Sequence, residues 1–215
     1  MKTYLSDRTL GPVPACWIEA SAVILNEYTN RSPAADSLLR NQRPAMPAPT
    51  PNGAMFSSCR TWRYTLWRHW DWQGDAHCVA FIGLNPSTAD ETKNDPTVRR
   101  CINYAKEWGY GGMYMLNIFG YRATDPAVMK AALDPVGPEN DQAITRLVRR
   151  CGLVIACWGV HGAFAERELR ITQLPRVRQK LHCLGQTKAG HPRHPLYLPK
   201  SARPVLWQTQ DAPLR

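Results

Sequence analysis

The sequence predicts an α/β fold: a three-layer α/β/α domain on a central, mostly parallel four-stranded sheet, entered through an N-terminal β-hairpin. Three observations predict it. Cys78-Val79-Ala80-Phe81-Ile82-Gly83-Leu84 is a continuous apolar run of strand length, as expected of a strand buried on both faces. Beyond it, strand-like and helix-like segments alternate with short connections, which argues a parallel sheet with helices on both sides. Before it, residues 60–72 interleave aromatic and basic side chains at a period of two, the pattern of a half-buried hairpin strand.

Taken in order, residues 1–54 read as an extension, because Pro33, Pro44, Pro47, Pro49 and Pro51 punctuate a polar, Ala-rich stretch suited to a linker. Within it, residues 16–27 have the patterning of one short helix or strand. Residues 55–210 form the domain. In the 60–72 strand, Trp62, Tyr64 and Leu66 alternate with Arg63, Thr65 and Trp67. Such a strand is either a platform for bases and phosphates or an edge hairpin whose tryptophans pack on the core, and its position leading into a core strand favours the second. After the 78–84 strand, Asp95 and Pro96 supply an N-cap and a first-turn proline, and Val98, Cys101, Ile102 and Ala105 recur at helical spacing up to Trp108. A strand over 113–119, a turn through Asp125-Pro126, a helix over 139–150 and a strand over 153–158 follow. A helix over 162–170, a strand over 181–184 and a closing strand over 205–207 complete the alternation.

Composition narrows the partners. Lys and Arg number 27 against 17 Asp and Glu, a formal charge of +10, which favours a polyanion and makes single- or double-stranded DNA the leading candidate. Seven cysteines (Cys16, Cys59, Cys78, Cys101, Cys151, Cys157 and Cys183) are spread without a Cys-x-x-Cys pair, which suits neither a disulfide framework nor a zinc ribbon. Cys78, Cys157 and Cys183 fall in apolar runs, so reduced core thiols and a cytoplasmic setting are expected. The first seven residues carry no apolar run of signal-peptide length, and nowhere do about 18 apolar residues follow one another, so neither export nor a membrane span is expected. A monomer without cofactor or metal is the simplest assembly.

In a parallel sheet the functional loops lie beyond the carboxyl ends of the strands, and three such loops carry unusual chemistry. The first, Gly83-Leu84-Asn85-Pro86-Ser87-Thr88-Ala89-Asp90, is small and polar, able to hold a water or a phosphate. In the second, Asn117 interrupts an apolar strand before Phe119, Tyr121, Arg122 and Asp125-Pro126, and a buried Asn must either cap a turn or read a ligand edge. In the third, Pro192 and Pro195 restrict the backbone around His194. Each loop alone is explained equally well by turn chemistry.

Together, and in that order, they resemble the uracil-DNA glycosylase superfamily. Gly83-Leu84-Asn85-Pro86 resembles the Gly-Ile-Asn-Pro of its mismatch-specific branch. Met115-Leu116-Asn117-Ile118, with Arg122 and Asp125-Pro126 downstream, is similar to the Thr-Asn-Val-Val stretch of its thermophilic branches. Arg193-His194-Pro195-Leu196-Tyr197-Leu198 is similar to their His-Pro-Ser-Tyr-Leu. Over about residues 58–207 the chain also resembles a bacterial family catalogued only as a domain of unknown function, through Leu84-Asn85-Pro86-Ser87-Thr88-Ala89-Asp90, the Asp95-Pro96-Thr97 helix start and His194-Pro195-Leu196-Tyr197. The close cysteine pair of the cluster-binding branches is absent, so no iron-sulfur cluster is expected.

The resemblance implies a DNA glycosylase for a modified or mismatched pyrimidine, including bulky hypermodified bases of phage DNA, in defence or base excision. Breaking an N-glycosidic bond passes through an oxocarbenium-like sugar, which needs an oriented water on one face and a stabilised leaving base on the other. Under it, Asn85 orients the water, Asp90 is the carboxylate for the sugar cation, and His194 hydrogen-bonds the leaving base. Gly83, Leu84, Pro86, Ser87 and Asn117 line the base pocket, with Phe119 or Tyr121 as aromatic floor and Leu196 and Tyr197 as wedge. Arg122, Lys188, Arg193 and Lys200 hold flanking phosphates. From the residues, Asp90 and Asp95 read equally well, or in Asp95 better, as helix caps. His161, at the third strand's end, is a possible ligand contact but reads first as a loop histidine. Hydrolysis or transfer at a free nucleoside or nucleotide, and non-catalytic sensing of a base or abasic site, are the competing functions.

Overall fold

Strand β3 (Cys78–Gly83) is the axis of the domain, and all six of its residues are buried. Because side chains alternate across a strand, Cys78, Ala80 and Ile82 enter one core while Val79 and Phe81 enter another on the opposite face. That double burial is why the run is continuously apolar. The computed structural model describes residues 50–207, so the 16–27 segment and most of the proline-rich extension lie outside the described residues.

Strands β4 (Gly112–Asn117) and β5 (Leu153–Ala156) pair in parallel on either side of β3, and β6 (Leu181–Cys183) continues in parallel beyond β5. The sheet is wider than the four strands expected. Strands β1 (Asn52–Phe56) and β2 (Arg63–His69) add an antiparallel hairpin on β4, and β7 (Val205–Leu206) adds antiparallel to β6. The seven strands run β1-β2-β4-β3-β5-β6-β7. The domain starts earlier than residue 55, since Asn52, Gly53 and Ala54 pair with Arg68, Trp67 and Leu66.

Strand β2 departs from the half-buried edge strand that its alternation suggests. It lies between β1 and β4, so every residue but Trp67 is buried, Arg63 and Arg68 included. Arg68 is tolerated inside because all five of its N–H groups find acceptors: Nε donates to Asn94 Oδ1, Nη1 to the Gly53 and Trp67 carbonyls, and Nη2 to the Asp90 and Lys93 carbonyls.

Helix α1 (Pro96–Glu107) covers the Val79 and Phe81 face with Val98, Cys101, Tyr104 and Ala105. Asp95 Oδ1 accepts from the Val98 amide at 2.8 Å, the expected N-cap, and Gly109 at φ +82° terminates the last turn. Helix α2 (Pro126–Ala131) is short and capped by Asp125, and helix α3 (Asn140–Arg150) and helix α4 (Arg167–Gln173) supply Ile144, Leu147, Val148 and Ile171 to the other face. The helix expected over 162–170 starts late, because Ala165 and Glu166 adopt left-handed φ of 51° and 55° and separate α4 from a 3-10 stretch (Val160–Glu166). The chain thus leaves β3 toward α1 and leaves the adjacent β5 toward α4 on the opposite face. The connections diverge there and open a crevice at the carboxyl ends of the strands.

The six described cysteines are free thiols, Cys59 exposed and the other five buried. Among the described residues no helix is long and apolar enough to cross a membrane.

Candidate functional site

A cavity of about 560 Å³ occupies that crevice. Its floor is the end of the β3–β4 ladder, where Gly83 pairs with Asn117. A Cβ on Gly83 would fall 2.7 Å from Met115 Cε and 3.0 Å from Asn117 Nδ2, so the absence of a side chain lets these two groups pack close over the strand end. The walls come from the loop after β3 (Leu84, Asn85, Ser87, Asp95), the loop after β4 (Ala123, Thr124), the end of β5 (Trp158, Gly159, His161) and the late loop (Thr187, Arg193, His194, Tyr197). Main-chain bonds lace these loops together: the Ile118, Phe119 and Ala123 amides donate to the Gly83, Leu84 and Pro86 carbonyls, Gly159 to Pro192, and Arg193 to Gly185, each at 2.9 Å.

Asn85 is fixed by its own amide. Its side-chain nitrogen lies 2.7 Å from the Ala123 carbonyl and 3.1 Å from the Pro86 carbonyl, and only an N–H can donate there. Oδ1 therefore remains as a free acceptor on a cavity-lining residue, the atom that can receive a hydrogen from water. Asn117, 1% exposed, is held the other way round. Its Oδ1 accepts from Arg63 Nη2 at 3.1 Å, while Asn140 Nδ2 ties down its backbone carbonyl and that of Ile118, which also accepts from Arg167 Nε. The Arg63 bond thus fixes which way the Asn117 amide points, with Nδ2 as the donor that it can offer a ligand.

His194 caps the 3-10 turn Pro195–Tyr197, its Nδ1 accepting from the Leu196 amide at 3.4 Å. An accepting Nδ1 carries no proton, so the neutral ring bears it on Nε2 as a donor. Burial lowers the His194 pKa below the usual imidazole range, opposed by the Asp95 carboxylate. Asp95 thus does two things. Oδ1 caps α1 and the residue also lines the cavity, with Oδ2 left free, so the capping role expected from the sequence is accompanied by a place in the site.

Asp90, by contrast, is not at the cavity. Its Oδ1 closes its own loop, accepting from the Thr92 and Lys93 amides at 2.9 and 2.7 Å and from Thr92 Oγ1. Gly83, Leu84, Ser87, Arg193 and Tyr197 line the cavity as expected. Pro86 is buried and contributes its carbonyl to the loop frame. Phe119 is fully buried against Phe164, its place in the core ruling it out as a stacking floor, and Tyr121 bridges to Trp62 rather than facing the cavity. Arg122 folds back over Phe56 and donates to the Arg60 carbonyl. Lys188, Leu196 and Lys200 are exposed outside the cavity lining, whereas Tyr197, 74% exposed, stands at its mouth.

Arg63 and Trp158 are the two largest of the cavity-lining residues that sequence reasoning did not assign to the site. An arginine inside a core-bound strand was the available signal for the first, and a large aromatic ending an apolar strand before Gly159 for the second. Trp158 is buried, donates from Nε1 to Glu168 at 3.1 Å, and meets Trp207 edge-on at 5.1 Å. Glu168 also contacts His191 Nδ1 at 3.0 Å, which ties α4 to the late loop. Among the described residues no cluster of side chains has the makeup of a metal site.

Residues 63–196 match the model of a family described as a protein of unknown function (DUF1643). No curated protein matches the chain, and no solved structure does.

Proposed function

The chain belongs to the DUF1643 family, a family of unknown function, and from its site we propose that it hydrolyses the N-glycosidic bond of a modified or mismatched pyrimidine in DNA, within a fold of the uracil-DNA glycosylase type. One observation carries the reading: Asn85, Asn117 and His194, from three loops far apart in sequence, line one cavity at the strand ends in the motif order of that superfamily. The atoms they leave free suit the reaction. Asn85 Oδ1 accepts from the attacking water and turns its lone pair toward the sugar carbon. The free carboxylate oxygen of Asp95, rather than Asp90, offsets the positive charge that builds on the sugar. His194 Nε2–H donates to the departing base, a neutral donor being sufficient where the base leaves as an anion. Tyr197 at the mouth is placed to fill the gap left in the stack when the nucleotide is extruded.

The test is a mass-spectrometric search for released bases from genomic DNAs of different modification chemistry, followed by single-turnover rates. Asn85→Ala and His194→Ala are each expected to lose about a hundredfold to a thousandfold in rate, as removal of one polar transition-state contact does, with DNA binding retained. Asp95→Asn keeps the cap and removes the charge, so it should lose rate without losing stability. Asp90→Asn should leave the rate unchanged. Release from free nucleosides but from no DNA would replace this reading with a nucleoside hydrolase. Variants that melt earlier yet turn over at the wild-type rate would sink it.

A further inference from the structure

Three arginines of the domain are buried, and they are not alike. Arg68 places all five N–H groups on protein acceptors. Arg167 is ion-paired to Asp141 and donates to the Ile118 carbonyl at 2.7 Å. Arg63, five residues before Arg68 on the same strand and 2% exposed, makes two hydrogen bonds, to the Ala89 carbonyl at 3.0 Å and to Asn117 Oδ1 at 3.1 Å. Both acceptors are neutral, no carboxylate lies within ion-pair distance of it among the described residues, and its Nε–H has no partner. A buried guanidinium is costly, and the other two offset that cost, Arg68 through acceptors for all five N–H groups and Arg167 through the Asp141 carboxylate. Arg63 is also the one of the three that lines the cavity.

Its surroundings point the same way. Burial pushes the Arg63 pKa down to about 10, with Asp95 working against the fall and Arg122 and Arg68 adding to it. The neighbouring Asn117 presents a donor, and the missing side chain at Gly83 is what lets that amide lie close over the strand end. A planar fork of donors next to an amide N–H fits a flat acceptor edge.

We propose that Arg63 is the anion-binding element of this cavity, taking the keto edge and the charge of the ring lodged beside Asn117 as it departs. The inference rests on the glycosylase reading and deepens it. When the bond from the sugar carbon to the ring nitrogen breaks, the electron pair goes to the ring and water supplies hydroxide to the sugar. The ring's negative charge then rests on its oxygens and nitrogen against Arg63 and Asn117, while His194 donates to the same anion. Amino-pyrimidines, with a donor where a keto oxygen would be, meet donor against donor at that edge.

Equilibrium binding to the full chain tests this, with uracil, 5-nitrouracil and inorganic phosphate as probes in a calorimeter. 5-Nitrouracil is ionised at neutral pH and uracil is not. The anion is expected to bind about tenfold to a hundredfold more tightly than uracil, the worth of a charge-assisted hydrogen bond, and phosphate is expected not to displace it. Arg63→Met should abolish the preference and Arg63→Lys should keep part of it. Should Arg63→Met fail to fold, the wild type still decides: its affinity for 5-fluorouracil must rise with pH as the ring loses its proton. Equal affinity for uracil and 5-nitrouracil, a preference that survives in folded Arg63→Met, displacement by phosphate or a flat pH profile would each overturn the proposal. Anion preference in a protein that releases no base would sink the glycosylase reading and leave the anion site standing. Base release with no anion preference would do the reverse.

Discussion

At the scale of single residues, the groups that matter are those whose environment holds one protonation state. Burial lowers the pKa of His194 and of His69, whose two ring nitrogens are buried and unpartnered among the described residues. A histidine whose folded pKa lies below its unfolded value leaves the unfolded chain holding more protons as pH falls through the ordinary imidazole range. Stability should then be complete above that range and decline from about pH 7.5 to about pH 5. Replacing His69 by Phe and His194 by Gln should flatten that decline in urea denaturation measured across pH. A decline of unchanged steepness would place its origin elsewhere. Legibility at this scale was uneven. Asn85, Asn117 and His194, each explained alone by turn chemistry, stood out through the order of their three motifs, and the fold brings all three to one cavity. Asp90 and Asp95 were not separable, since two aspartates five residues apart in one loop look alike until hydrogen bonds show that the first closes its own turn and the second faces the cavity.

At the scale of elements, the parallel strands and α1 were legible because double burial and N-cap chemistry both leave marks in sequence. The 3-10 stretch before α4 was not, since the break lies in backbone angles at Ala165 and Glu166, residues with no special turn preference. The hairpin strand β2 misled for a related reason: period-two alternation reports one buried face, and it says nothing of a loop folding down on the other. Residues 90–94 do so here, held by Arg68. Arg68→Met should therefore cost at least about 2 kcal/mol, because several carbonyls lose their donor together. For a domain of this size that is a fall of roughly 4–8 °C in Tm by calorimetry. A change of less than a degree would mean that the loop is held by other contacts.

At the scale of the whole molecule, the four parallel strands β4, β3, β5 and β6 bring their carboxyl ends to one rim of the sheet, and the chain carries a net charge of +10. If Lys188, Arg193 and Lys200 supply three phosphate contacts, the logarithm of DNA affinity should fall with that of salt at a slope of about −3, roughly fiftyfold between 50 and 200 mM. A slope near zero in fluorescence anisotropy would remove DNA as the partner. The rim has one further property. Its loops are fastened to each other mainly through peptide groups, Ile118 to Gly83, Phe119 to Leu84, Ala123 to Pro86 and Gly159 to Pro192. Every amino acid but proline carries the amide that such a bond requires. In deuterium these loop amides should therefore exchange as slowly as those of the sheet. Substitution of the side chains around the cavity then leaves the frame standing, so one unchanged scaffold can be refitted to different ligands.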